Sequence, residues 1–76
     1  MLLSELKVGQ MAKITALAGG DRPYRQRLIA MGLIPGTAFS ISRKAPFGDP
    51  IEILVRGYAL CLRKQEANIL QIEEMA

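Results

Sequence analysis

The sequence predicts a mainly β fold: a small, partly open antiparallel barrel of about five strands, with one helix inserted after the first strand. Three observations carry this. Short segments along the chain place apolar residues at a period of two. One stretch alone, Asp21 to Gly32, has helical spacing with both a start and a stop signal. Glycine and proline mark the junctions between segments.

Taken in order, Leu3-Ser4-Glu5-Leu6 suits a single helical turn anchored by Leu3 and Leu6. Met11 to Leu17 reads as the first strand, with Ala12, Ile14 and Ala16 on one face and Met11, Lys13, Thr15 and Leu17 on the other. Ala18-Gly19-Gly20 ends it. Asp21 then sits at the N-cap of the helix, and Pro23 falls in the first turn, where a missing N–H costs nothing. Tyr24, Leu28 and Met31 line one helical face, with Tyr24 expected to anchor the helix to the barrel. Gly32 is expected at C′ in the left-handed conformation, with Leu33 folding back onto Leu28. Ile34-Pro35-Gly36-Thr37 reads as a type II turn, in which Pro35 sets φ and Gly36 accepts a positive φ.

Thr37 to Arg43 is the second strand, with Phe39 and Ile41 on one face. Ala45 to Pro50 is a loop holding two prolines. Ile51 to Val55 is the third strand, and Arg56-Gly57 a tight turn. Tyr58 to Arg63 is the fourth strand, with Leu60 and Leu62 inward. Lys64 to Ala67 makes one helical turn, and Leu70 and Ile72 belong to a short fifth strand. The alternative fold is an OB-type barrel, which usually needs more residues and places its helix later.

The 76 residues suit one domain, and half of them are hydrophobic. At this size only ~60% of the unfolded surface is buried. Cys61 is the single cysteine, so no intramolecular disulfide can form, which fits a reducing compartment. Met1 to Leu6 does not read as a signal peptide. No apolar run approaches the ~20 residues that span a bilayer. A soluble, cytoplasmic protein is expected.

The formal net charge of +3 is unevenly spread. Between residues 22 and 48 stand Arg22, Arg25, Arg27, Arg43 and Lys44 with no acid, a local charge of +5. The remaining residues sum to −2. Such a cluster is either a solvated face or a surface for an anionic partner.

The chemistry open to this chain is narrow. There is no histidine, and one cysteine with scattered carboxylates does not make a zinc site. The loops offer little beyond Asp49 for a hard cation. Neither Cys61 nor Ser4, Ser40 or Ser42 has a histidine base, so nucleophilic catalysis is not expected. Gly19-Gly20-Asp21 lacks the pattern of a phosphate loop and reads as a turn with a cap. Nucleic-acid binding by a small barrel calls for interleaved basic and aromatic residues. Here Tyr24, Phe39, Phe47 and Tyr58 do not alternate with cations, and there is no tryptophan. No enzyme, intrinsic cofactor or metal is expected.

Several segments resemble one family in one order: Tyr24-Arg25-Gln26-Arg27-Leu28, Met31-Gly32-Leu33-Ile34-Pro35-Gly36, Gly48-Asp49-Pro50-Ile51, Arg56-Gly57-Tyr58 and Leu62-Arg63-Lys64 with Glu66-Ala67. Together they are similar to the FeoA family, ferrous iron transport protein A. The resemblance spans nearly the whole chain, so a single FeoA-like domain over residues 1–76 is expected. Similar barrels also form the C-terminal domain of metal-dependent repressors, but these 76 residues hold no winged helix and no metal-binding region.

The resemblance implies an SH3-like barrel with a helical insertion after the first strand. It implies a small cytoplasmic accessory protein of bacterial Fe²⁺ uptake, held at the inner face of the membrane by its partner. That partner would be FeoB, a membrane transporter with a cytosolic GTPase region. The expected contact surface comprises Arg22, Arg25, Gln26, Arg27 and Ile29, with Arg43 and Lys44. Asp21, Gly32, Leu33, Pro35 and Gly36 are expected to serve the backbone only. The alternatives are nucleic-acid binding through the basic segment, and direct Fe²⁺ carriage by Asp49, Glu52, Glu66 and Cys61. Exposed strand edges also leave self-association open.

Overall fold

The structure, a computed structural model, describes residues 1–75. After a 3₁₀ turn at Leu3–Glu5 come β1 (Met11–Leu17), α1 (Arg22–Ala30), β2 (Ala38–Lys44), β3 (Ile51–Val55), β4 (Tyr58–Leu62), α2 (Lys64–Ala67) and β5 (Leu70–Met75). The strands form one antiparallel sheet in the order β4-β3-β2-β1-β5. Register shifts between Ile14 and Ala16 and between Ile41 and Arg43 bend the sheet into a partly open barrel.

Alternation puts the branched residues inside. Ala12 lies opposite Phe39, Ile14 opposite Ile72, Ile41 opposite Ile53, and Ile51 opposite Leu62. All are buried, together with Val55 and Leu70. Leu3 and Leu6 from the first turn, and Leu28, Leu33, Ala67 and Ile69 from the helical segments, complete the same core. The expected inward position of Ala16 is only half-buried, because the bulge after Ile14 breaks the period of two. Strand ends differ by one to three residues from the sequence reading: β2 runs 38–44, β4 stops at Leu62 and β5 extends to Met75.

The helix stop and the turn after it follow the backbone logic of the sequence. Gly32 has φ of +88°. Its N–H donates to the Ile29 carbonyl at 2.9 Å, and the Leu33 N–H to the Leu28 carbonyl at 3.0 Å. That pair of bonds is the Schellman ending, and Leu33 and Leu28 are both fully buried. The Thr37 N–H then closes the turn onto the Ile34 carbonyl at 3.1 Å, with Gly36 at φ of +93°. This turn is stitched to β1. The Gly36 N–H donates to the Ile14 carbonyl at 2.7 Å, and the Ile14 N–H to the Thr37 carbonyl at 2.9 Å.

Two expectations about the helix start need correction. Asp21 holds the N-cap position, but its carboxylate makes no capping hydrogen bond. Tyr24 is 41% exposed. Leu28 is the helix residue buried in the core, and Met31 packs partly against it.

Candidate interaction surface

The α1 helix forms because its apolar positions recur on one side and both ends carry breakers. Burial of Leu28 leaves the opposite face in water, and this is the face with charge. Arg22, Gln26 and Arg27 are exposed, Arg25 is half-buried, and Ile29 is 49% exposed. Ile29 therefore does not pack beneath β2. Arg27 reaches the Glu66 carboxylate at 3.8 Å, the sole ion pair among the described residues. That contact is long and its cation is mostly in water, so it contributes little. Arg22 and Arg25 form none.

Glu66 lies on α2, below the helix. It is buried, and its other oxygen accepts the Arg63 N–H at 3.0 Å. Arg27 thus leans towards the buried carboxylate that starts α2. Between the two helices a hollow of about 210 Å³ is lined by Gly20, Asp21, Tyr24, Gln65 and Ile69. A second, of about 260 Å³, lies among Pro23, Tyr24 and Arg27. The exposed Tyr24 ring stands between them. Sequence periodicity could not find these hollows, because they depend on where α2 comes to rest.

At the other end of the helix, the Tyr58 hydroxyl donates to the Met31 carbonyl at 3.0 Å. One of the carbonyls that a helix end leaves free is thereby satisfied. The β3–β4 hairpin, whose turn residue Arg56 has φ of +51°, is clasped onto the helix stop.

Lys44 finds its partner away from the helix, and Arg43 forms no ion pair among the described residues. The Lys44 ammonium is half-buried and donates to the Ser4 carbonyl at 3.0 Å. Arg43 is exposed beside a hollow of about 190 Å³ that it lines with Ala45, Pro50, Glu52 and Cys61. The sequence-predicted surface therefore divides into an arginine-bearing helix face and two cations at the end of β2.

The four side chains considered for iron carriage are spread out or engaged. Asp49 accepts the Lys64 N–H at 3.1 Å. Glu66 serves α2 as described. Glu52 accepts the Ser42 hydroxyl at 3.0 Å and lies 3.8 Å from the Cys61 sulfur. No group of three or more His, Cys, Asp or Glu is brought together among the described residues. No helix among them is long and apolar enough to cross a membrane.

The family model for the FeoA domain matches residues 1–74. The chain belongs to the FeoA family. A curated relative from Porphyromonas gingivalis, described as a fusion of Fe(2+) transport protein A with the Fe(2+) transporter FeoB, is 32% identical over 73 residues. The match takes in 96% of this chain, which spans 8% of the length of that relative. The solution structure of FeoA from Chlorobium tepidum superposes with a TM-score of 0.89 at 39% identity, over all of this chain and 71% of that one. The zinc complex of FeoA from Stenotrophomonas maltophilia is described as a prokaryotic SH3 domain protein. It superposes with a TM-score of 0.83 at 25% identity, over 96% of this chain and 89% of that one. The FeoA barrel here is SH3-like, as the resemblance implied.

Proposed function

We propose that this FeoA domain is an accessory component of bacterial ferrous iron uptake that docks on the cytosolic GTPase region of a FeoB-like transporter. The observation that carries the reading is the fusion relative, in which a FeoA domain and FeoB share one polypeptide. Covalent linkage keeps two partners at high effective concentration, so separate chains of the same pair need a contact surface. The Stenotrophomonas maltophilia protein has itself been suggested to act as a ferrous iron transport activating factor. The surface assigned to docking is the outer face of α1: Arg22, Arg25, Gln26 and Ile29, with Arg27 at its margin. An apolar anchor ringed by arginines suits an acidic patch with an apolar notch.

The test is Fe²⁺ uptake by cells carrying Arg22→Glu, Arg25→Glu or Ile29→Asp, with protein abundance and circular dichroism measured alongside. Arg27 is left intact because glutamate there would face Glu66. Uptake should fall while the fold persists. Wild-type uptake by all three variants would overturn the assignment.

A further inference from the structure

The most exposed large apolar side chain is Phe47, at 96%. It stands at the tip of the β2–β3 loop, and the loop is braced. The Gly48 N–H donates to the Ala45 carbonyl at 2.7 Å, and the Ala45 N–H to the Pro50 carbonyl at 3.0 Å. Pro46 and Pro50 restrict φ on either side of the tip. The bond from the Lys64 N–H to Asp49 pins the loop to the start of α2. The ring is therefore presented to water by a loop tied at its base.

The surroundings of the tip are cationic. Arg43 is exposed at the end of β2, just before the loop. Arg63 and Lys64 are exposed on the segment to which the loop is bonded. The nearby carboxylates of Asp49 and Glu52 keep their charge while accepting the Lys64 N–H and the Ser42 hydroxyl, so Arg43, Arg63 and Lys64 outnumber them and leave the tip a modest positive excess. No other large apolar side chain is exposed within residues 43–50 or 63–66.

We propose that this loop is a membrane-contact tip, which inserts Phe47 into an anionic lipid surface while Arg43, Arg63 and Lys64 meet the headgroup phosphates. A protein interface draws its affinity from a cluster of buried anchors, and within residues 43–50 and 63–66 Phe47 is the one exposed large apolar side chain. A bilayer interface accepts a lone aromatic, and anionic lipids add a favourable contribution for each nearby cation. One apolar signal with one electrostatic signal gives reversible, composition-dependent binding. Binding to bare lipid through this tip does not require docking on a transporter.

The chain has no tryptophan, so Phe47→Trp introduces a single reporter at the tip. The 76-residue variant is mixed with protein-free phosphatidylcholine vesicles, with and without phosphatidylglycerol. Its emission should shift to the blue and be quenched by lipids brominated on the acyl chain, only where phosphatidylglycerol is present. Arg43→Glu with Lys64→Glu should remove the shift. In co-sedimentation of the otherwise native chain, Phe47→Ala should weaken partitioning about tenfold or more, the scale of burying one aromatic side chain. Unmoved emission of the folded variant on phosphatidylglycerol vesicles would overturn the proposal. So would a shift seen only when the vesicles carry the transporter, which would assign Phe47 to a protein pocket.

Discussion

Replacing Gly32 by alanine tests whether the helix stop and the β3–β4 hairpin are one mechanical unit. A residue with a side chain at φ of +88° bears a backbone strain of about 1–2 kcal/mol. Gly36, at φ of +93°, would bear the same strain, and its added methyl would meet nothing within 4 Å. At Gly32 the methyl would sit 3.3 Å from the Tyr58 hydroxyl and 3.5 Å from an Arg56 guanidinium nitrogen. Shifting Tyr58 endangers its bond to the Met31 carbonyl, worth about 0.5–1.5 kcal/mol. Gly32→Ala should thus cost about 2–3 kcal/mol, and Gly36→Ala about 1–2 kcal/mol. Urea denaturation measures both, and each kcal/mol should lower Tm by about 4–8 °C in a domain of this size. Tyr58→Phe removes the hydroxyl that the methyl would crowd. The double variant Gly32→Ala with Tyr58→Phe should therefore be less destabilised than the sum of its parts by about 0.5–1 kcal/mol. Strict additivity, or equal costs at Gly32 and Gly36, would show that the hairpin does not clasp the helix end.

Two further outcomes follow from the packing. Leu28→Ala, which empties the helix's fully buried contact with the core, should cost about 2–5 kcal/mol in the same denaturation assay. Glu66→Ala strands the Arg63 N–H at the start of α2 and should cost about 1–3 kcal/mol, whereas Glu66→Gln keeps an acceptor and should cost less.

What could be read from the sequence is what the backbone encodes locally. The Gly32 stop, the Leu33–Leu28 contact and the Ile34–Thr37 turn each depend on neighbours within six residues, and all three stand as expected. The strand cores were readable for a similar reason, since alternation survives wherever no bulge intervenes. The features missed are long-range. Lys44 looks like a free cation until Ser4, 40 residues away, takes its ammonium. Glu66 looks like a solvent-facing carboxylate until Arg63 and Arg27 converge on it and the core closes beneath. Tyr24 lies on the same helical stripe as Leu28, but the hollow beside Gln65 and Ile69 leaves its ring uncovered. Helical spacing assigns a side of the helix, and only the packing of α2 determines how far along that side the core extends.

The proposed surface for docking on the transporter is the arginine face of α1. The most direct measurement is an NMR titration of the ¹⁵N-labelled chain with its FeoB-like transporter in detergent. Shift changes or line broadening should concentrate at Arg22, Arg25, Gln26 and Ile29, with the β3–β4 turn unmoved. No perturbation at saturating transporter, or perturbation confined to residues away from α1, would contradict this assignment.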